Sequence, residues 1–216
     1  MDFLEKFNIK VNDLELLKTA LTHSSYANEY KNITCYERLE YLGDAILEAI
    51  TSEYFYLNTD LKEGDMTKLR ANYVCEKALA TYAKDLGIDK HILVGHGQIK
   101  NINDTIIADV FEAVLAVIYL DQGYEVAKKY INDIIIPYIN KNLDFNSDYK
   151  TKLQELVQTS RKSVEYEIIS ESGLSHDKVF VVAVKIDGIT YGKGSGKSKK
   201  EAEQMAALEA LRKSAR

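Results

Sequence analysis

Residues 37–44 read ERLEYLGD, a stretch that carries three carboxylates and one arginine beside apolar leucines. In a helix, residues that are three, four or seven positions apart lie on the same face. Glu37, Glu40 and Asp44 therefore share one face, whereas Leu39 and Leu42 point away from it toward a core. Like charges at these spacings destabilise a helix by roughly 0.2–0.5 kcal/mol per pair, so they need solvent or a cation to offset the repulsion.

A second acidic pair lies in the apolar run IIADVFEAVLAVIYL, which is also predicted to be helical. Asp109 and Glu112 are three positions apart and share a face, and they are the only charges between Ile106 and Leu120. Charged side chains are almost never fully buried unless they are paired or bind a metal. This pair is therefore predicted to line a cleft or to meet a partner.

Carboxylates from two such helices can converge on one oxygen-rich site. Mg²⁺ and Mn²⁺ prefer these ligands, whereas zinc favours Cys and His, which neither acidic segment contributes. Metal ions held by carboxylates commonly activate water and bind phosphate oxygens. Two other interpretations stay open at this point. The acids could form a solvated face, or they could form salt bridges between helices, with Arg38 or Arg70 as partners.

The chain on both sides of these segments is predicted to be helical as far as residue 139. Asn12 is the expected N-cap of an early helix, and Gly87 the expected end of a later one. Helix after helix with short connections is typical of an all-α bundle. Apolar residues recur at helical spacing in NDLELLKTALTH, CYERLEYLGDAILEAITSEYFY, EGDMTKLRANYV, EKALATYAKDLG, DTIIADVFEAVLAVIYLD and YEVAKKYINDIIIPYI.

The helical spacing of apolar residues ends after residue 139. Residues 140–148, NKNLDFNSD, are polar and turn-prone, as is typical of a linker. Residues 149–216 then show a short helix, three strands and an alanine-rich helix, with Asp187-Gly188 as a tight hairpin turn. The sequence therefore predicts a multidomain protein, in which an all-α helical domain at 1–139 precedes a small α+β domain of α-β-β-β-α order.

The composition fits a globular chain with an uneven charge. Of the 216 residues, 46% are hydrophobic and 28% are charged. No run approaches about 18 consecutive apolar residues, so no membrane span is predicted. Without a recognisable secretion signal, Cys35 and Cys75 are interpreted as reduced thiols in a cytoplasmic protein. Residues 148–216 carry 13 Lys/Arg against 10 Asp/Glu, whereas residues 1–147 carry 15 against 23.

The basic surplus is concentrated at the start of the last predicted helix. Ser198 and Glu201 form a capping box there, and the N-terminal end of a helix favours phosphate. Such a surface suggests a polyanion as partner. The basic run, which no acid interrupts, consists of Lys193, Lys197, Lys199 and Lys200.

Taken together, these segments resemble a known family. ERLEYLGDAIL resembles the signature of bacterial ribonuclease III, and LTHSSYANE, EGDMTKLRANYV and DTIIADVFEAVLAVIYLDQG resemble its neighbouring segments in the same order. From Tyr149 to about Ala210, the chain resembles a double-stranded-RNA-binding domain, with SKKEAEQMAA in its second helix. The resemblance covers nearly the whole chain.

The resemblance implies an endoribonuclease that hydrolyses both strands of double-stranded RNA. It implies Mg²⁺ as the cofactor, with Mn²⁺ as a substitute, and a homodimer formed through the helical domain. The products would carry 5′-phosphate and 3′-hydroxyl ends with short 3′ overhangs, and the substrates would be ribosomal RNA precursors and structured messages. A protein that binds double-stranded RNA without cutting it is the main alternative, although such a protein would be free to lose a carboxylate.

The resemblance also implies roles for individual residues. Asp44 and Glu112 match the two most directly catalytic carboxylates, and together with Glu40 and Asp109 they match the metal ligands. Glu37 and Glu63 match secondary acids near the RNA path or the dimer contact. Domains of the second type span about 16 base pairs and contact two minor grooves and the phosphates between them. The matching RNA-binding residues are Thr151, Gln154, Glu155, Ser175, His176, Ser198, Lys199 and Lys200.

Three positions depart from the usual pattern of the family. Tyr36 stands where Asn is common, and Thr105 where Ser is common, so the local hydrogen bonding is expected to differ. Leu174 replaces a frequent proline in the loop expected to enter the minor groove. None of these changes removes a predicted metal ligand.

Overall fold

The computed structural model describes residues 2–99, 101–145, 148–159, 162–173 and 178–214. The chain divides into two compact units, residues 1–146 and 147–216. Ser175 and His176, which were predicted to bind RNA, lie outside the described residues, as does Leu174.

The first unit is built from helices, as predicted. A short 3₁₀ turn, Ile88–His91, follows α6. The α-helices are α1 (Asp2–Glu5), α2 (Leu14–Ala20), α3 (Ser24–Glu29), α4 (Glu37–Asn58), α5 (Glu63–Tyr73), α6 (Glu76–Leu86), α7 (Asp104–Gln122) and α8 (Tyr124–Asn140).

Of the two helix ends predicted in this unit, the C-cap at Gly87 is confirmed and the N-cap at Asn12 is wrong. Gly87 follows α6 in the left-handed conformation, with φ of 81°, which suits a glycine C-cap. The N-cap of α2 is Asp13 rather than Asn12, because the helix begins one residue later than expected and the Asp13 side chain accepts from the N–H of Leu16. Asn12 instead donates from its backbone N–H to Asp121 at 3.0 Å.

Helix α7 forms the centre of the helical unit. Between Ile106 and Ile118, every residue is buried except Asp109 and Glu112, which are half-buried. Helices α4 and α6 pack against it. Burial of a continuous apolar helix supplies the main stabilisation of the unit, and it leaves two charged groups at the edge of the core.

Gly43 allows α4 to approach α7 at backbone distance. A Cβ atom placed on Gly43 would lie 1.9 Å from the backbone oxygen of Glu112 and 2.5 Å from its carbonyl carbon. Real Cβ contacts are never this short, so the two helices can cross here only because residue 43 has no side chain. The glycine inside ERLEYLGD thus fixes where the two acidic segments meet.

The second unit has the predicted α-β-β-β-α order. A three-stranded antiparallel sheet is ordered β1-β2-β3. The turn between β2 and β3 has φ of 48° at Asp187 and 79° at Gly188, and two positive values are typical of the tight hairpin turn predicted there. The elements are α9 (Tyr149–Gln158), β1 (Val164–Ser172), β2 (Val179–Ile186), β3 (Ile189–Gly196) and α10 (Lys199–Ser214).

Helix α10 packs closely on β3 through small residues. A Cβ on Gly192 would lie 2.3 Å from the backbone oxygen of Ala206, and one on Gly194 would lie 2.2 Å from the backbone nitrogen of Ala206. Alternate residues of a strand face the same side, so glycines two positions apart present a flat surface to the helix. Ala202, Ala206 and Ala210 of α10 are fully buried against it.

The predicted capping box at the start of α10 is present with one difference. Ser198 Oγ accepts from the N–H of Glu201 at 3.1 Å. The carboxylate of Glu201 accepts from the N–H of Lys197 at 2.7 Å, one residue before the N-cap. Within the described ranges, no helix combines the length and the hydropathy that a membrane span requires.

Candidate active site

The crossing of α4 and α7 brings the two acidic segments together. Gly43 contacts the backbone of Glu112, and Asp44 follows it directly. Glu40 lies one turn earlier on α4, and Asp109 one turn earlier on α7. Asp44 is exposed and the other three are half-buried, so the group lies at the border between core and solvent. The four carboxylates predicted as ligands therefore belong to one region of the surface.

Glu112 has the most strongly perturbed carboxyl group of the four. Burial, together with the charges of Asp44, Asp109, Glu40 and Glu48, raises its pKa to about 8, and burial makes the largest contribution. A carboxylate resists ionisation where water is scarce and where other negative charges lie close. At neutral pH and without a cation, Glu112 is thus largely protonated.

Two other members of the cluster show the same effect. Burial raises the pKa of Glu40, and the charges of Asp109, Glu37 and Asp44 add to this. Burial also raises the pKa of Asp109, with a contribution from Glu76. The repulsion between these groups is what a bound cation would relieve.

Salt bridges do not explain the cluster. Within the described part of the chain, no Lys, Arg or His forms an ion pair with any of the four carboxylates. Arg70, one of the two partners considered from the sequence, donates to Ser52 Oγ at 2.8 Å instead. Because uncompensated charges are costly at a half-buried site, these carboxylates serve a purpose other than holding the helices together.

The donor chemistry of the cluster fits a hard divalent cation. All four groups are carboxylates, which Mg²⁺ and Mn²⁺ prefer, and mutual repulsion adds to burial in raising the pKa of Glu40 and of Glu112. Among the residues that the structure describes, no three acidic, His or Cys side chains are already arranged as a ligand set. The carboxylates would therefore have to turn toward a common point when a cation binds.

Tyr36 contacts the cluster, which the sequence did not predict. Its hydroxyl donates to Oδ2 of Asp109 at 2.9 Å across 73 positions of sequence. This hydrogen bond lowers the pKa of Asp109 and so opposes the effect of burial. The other departure, Thr105, donates to Glu76 at 3.0 Å and does not contact the four carboxylates directly. The unusual residue before Glu37 was the only signal in the sequence that could have pointed to this contact.

The two secondary acids lie in different places. Glu37 is exposed at the start of α4, and its charge contributes to the raised pKa of Glu40. Glu63 is exposed at the start of α5, where it lines a cavity of about 350 Å³ together with Tyr56 and Arg70. The structure therefore associates Glu37 with the cluster and places Glu63 beside a separate cavity.

The described residues predicted to bind RNA are exposed in the second unit. Thr151, Gln154 and Glu155 lie on the outer side of α9, opposite buried Leu153 and Val157. The Thr151 hydroxyl also donates to the N-cap residue Asp148 at 2.6 Å. At the start of α10, a second group is exposed, which consists of Ser198, Lys199 and Lys200.

Comparisons with known proteins agree with these two units. Residues 13–139 match the family model described as Ribonuclease-III-like, and residues 149–214 match the double-stranded RNA binding motif. The chain belongs to the ribonuclease III family. It is 45% identical to "Ribonuclease 3" of Phytoplasma mali over 207 residues, which cover 94% of this chain and 92% of that one. It is 44% identical to "Ribonuclease 3" of Mesoplasma florum, with 98% and 96% covered.

A solved structure supports the same assignment for the helical unit. The nuclease domain of ribonuclease III from Campylobacter jejuni matches with a TM-score of 0.57 and 35% identity, and it covers 62% of this chain and 94% of that chain. The chain is thus a ribonuclease III-type endonuclease whose helical nuclease domain precedes a double-stranded-RNA-binding domain. The resemblance noted from the sequence is confirmed, and the family implies a divalent metal cofactor.

The raised pKa of Glu112 predicts how stability depends on pH in EDTA. The folded protein retains a proton up to about pH 8, whereas the unfolded chain releases it near its ordinary value of 4.5. The free energy of unfolding should therefore fall as pH rises from 4.5 to 8. Glu112→Gln should melt at a higher temperature than the wild type at pH 8, with a smaller difference at pH 5.

Thermal unfolding of both proteins at several pH values in EDTA measures this effect. Glu125→Gln is the matched control, because Glu125 is exposed in the first turn of α8 and away from the cluster. Parallel profiles for wild type and Glu112→Gln would show that Glu112 does not carry the perturbed proton.

Proposed function

We propose that this protein is a Mg²⁺-dependent endoribonuclease that hydrolyses both strands of double-stranded RNA. The products carry 5′-phosphate and 3′-hydroxyl ends with short 3′ overhangs, and the substrates include ribosomal RNA precursors and structured messages. The observation that carries this proposal is the cluster of four carboxylates without an ion-pair partner among the described residues, at the crossing of α4 and α7. It lies in a chain of a family whose members act as ribonucleases.

The proposed ligands of the cation are the four carboxylates of the cluster. Mn²⁺ is expected to substitute for Mg²⁺, because both prefer hard oxygen ligands. When bound, the cation supplies Lewis-acid activation of water and charge compensation at the phosphate. Asp44 is the most exposed of the four and so the best placed to face the RNA, whereas Glu112 joins the site to the core. The proposed ligands are Glu40, Asp44, Asp109 and Glu112.

The second unit is proposed to hold the duplex by its shape. Thr151, Gln154 and Glu155 form an exposed polar surface on α9, which suits one minor groove. Lys199 and Lys200 lie at the N-terminal end of α10, where the helix dipole also favours phosphate. Ser198 is proposed to join them, and Ser175 and His176 are proposed to contact the other minor groove.

We also propose a homodimer formed through the helical unit. Large apolar side chains of α4 point to solvent, with exposed fractions of 82% for Tyr41, 74% for Tyr56 and 64% for Leu57. Exposed apolar surface of this kind is typical of a protein interface. The Campylobacter jejuni nuclease domain is described as having a region involved in dimer formation, which agrees with this proposal.

The proposed roles of the domains follow the boundaries that were predicted from the sequence. Residues 1–139 form the nuclease and dimerisation domain, residues 140–148 the linker, and residues 149–216 the RNA-binding domain. A cytoplasmic location is proposed as well. It agrees with two free cysteines, Cys35 and Cys75, because free thiols are typical of reducing compartments.

Cleavage of a long, perfect RNA duplex tests the proposal directly. With Mg²⁺, we expect cuts on both strands that leave 5′-phosphates and short 3′ overhangs, and with EDTA we expect none. Product ends are resolved by sequencing gels and by their sensitivity to phosphatase. Single-stranded RNA of the same sequence is the control substrate. Tight binding of the duplex without any cut in Mg²⁺ or Mn²⁺ would instead identify a binding protein.

A further inference from the structure

Tyr36 occupies a helix-capping position without acting as a cap. It is the N-cap residue of α4, where Ser, Thr, Asp and Asn are preferred, and its side chain makes no capping hydrogen bond. The side chain turns inward instead, and only 3% of it is exposed. Its hydroxyl donates to Oδ2 of Asp109 at 2.9 Å. The side chain of residue 36 therefore does not cap α4. It joins the start of α4 to a carboxylate of α7 instead.

The surroundings of Tyr36 hold its ring in place. Its backbone N–H donates to the oxygen of Thr22 at 2.9 Å. Its ring packs against the ring of His23, with 5.7 Å between the centroids. His23 is itself fixed, because its Nδ1 accepts from the N–H of Ser25 at 3.1 Å. The hydroxyl therefore projects from a rigid support toward Asp109.

The orientation of the Asp109 carboxylate depends on this hydrogen bond more than the orientation of an isolated acid would. Asp109 lies among the like charges of Glu40, Glu76 and Glu112. The charge of His23 acts in the opposite sense, but within the described residues no Lys, Arg or His forms an ion pair with Asp109. Repulsion favours rotation of its carboxylate away from the other acids. A hydrogen bond from a neutral donor fixes the orientation of one oxygen and leaves the negative charge available. Carboxylates that bind metals are commonly oriented by hydrogen bonds of this type.

We propose that Tyr36 is a positioning residue that orients Asp109 for the divalent cation of the nuclease site. The inference rests on the proposed function, because it assumes that Asp109 is a ligand. Tyr36 itself touches neither the cation nor the RNA. Its loss should therefore weaken cation binding and turnover, whereas affinity for the RNA duplex should hardly change.

The test compares Tyr36→Phe with the wild type in the full chain. Tyr36→Phe keeps the buried ring and removes only the hydroxyl. Electron paramagnetic resonance measures the Kd of Mn²⁺ without RNA, and steady-state cleavage gives kcat and KM. We expect the Kd of Mn²⁺ to rise about tenfold and kcat to fall by about tenfold or more, with KM unchanged. The matched control is Tyr138→Phe, which removes a hydroxyl bonded to Asp85 away from the cluster.

A double-mutant cycle distinguishes an effect on the orientation of Asp109 from a general effect on the fold. If Tyr36 acts through Asp109, then adding Tyr36→Phe to Asp109→Asn should not weaken Mn²⁺ binding further. Independent, additive losses would overturn the inference, and so would a Tyr36→Phe variant equal to the wild type in both measurements. If Tyr36→Phe fails to fold, Tyr36→Asn is measured, because Asn can cap α4 while lacking the reach of the phenol. Failure of both variants to fold would make Tyr36 a structural residue and overturn the inference.

The outcomes also distinguish this inference from the proposed function. If the wild type binds Mn²⁺ but does not cut RNA, the nuclease proposal fails and the Mn²⁺ comparison still decides the role of Tyr36. If the wild type cuts RNA and Tyr36→Phe matches it, only the inference fails. A wild type that neither binds Mn²⁺ nor cuts RNA would overturn both.

Discussion

Glu112→Gln is expected to lower the rate of duplex cleavage by at least about a hundredfold. Glutamine keeps the size of the side chain but cannot carry the negative charge. A metal ion at a phosphoryl group supplies several kcal/mol of charge stabilisation, and each 1.36 kcal/mol corresponds to about a tenfold change in rate. Loss of one of four proposed ligands should therefore cost two or more factors of ten. Single-turnover cleavage in saturating Mg²⁺ measures the effect.

A measurement of RNA binding distinguishes this loss of cleavage from a failure to recognise RNA. The duplex is expected to be held mainly by the second unit, so the Kd of the RNA in EDTA should be the same for Glu112→Gln and wild type. Glu15→Gln is the matched control, because Glu15 is exposed in the first turn of α2 and lies outside the cluster. Cleavage by Glu112→Gln at nearly the wild-type rate would show that the ligand set is assigned wrongly.

The acidic cluster could be anticipated because its signals are local. Glu40 and Asp44 are four positions apart, so helical periodicity alone places them on one face. Asp109 and Glu112 stand out because they are the only charges between Ile106 and Leu120. Between Ile106 and Ile118, the structure leaves just these two residues half-buried. The same local logic identified the Asp187-Gly188 turn, since the backbone of a tight hairpin requires two positive φ values.

The contacts that hold the cluster together could not be predicted from local sequence patterns, because they join distant parts of the chain. The partner of Tyr36 is Asp109, 73 positions away, and nothing near Tyr36 indicates it. The role of the glycines in β3 likewise depends on α10, because Gly192 and Gly194 meet the backbone of that helix. Small residues acquire such a meaning only when the opposing element is known.

Gly43→Ala is expected to reduce cleavage by about a hundredfold and to destabilise the helical unit. The added Cβ would meet the backbone oxygen of Glu112 at 1.9 Å, and backbone on both sides leaves no flexible side chain that could move aside. Overpacking of this type typically costs about 1–3 kcal/mol of folding stability. The helices must separate to relieve the clash, and a displacement of about 1 Å in an active site can cost a hundredfold in rate.

Gly64→Ala is the matched control for this effect. Gly64 also lies in a helix, α5, but a Cβ added there would meet no atom within 4 Å. Alanine in a helix is favoured over glycine by roughly 0.5–1 kcal/mol, so Gly64→Ala should be as stable as the wild type or more stable. Melting temperature and cleavage rate are measured for both variants, with cleavage assayed well below the transition. If Gly43→Ala folds and cuts RNA like Gly64→Ala, then close contact between α4 and α7 is not what brings the four carboxylates together.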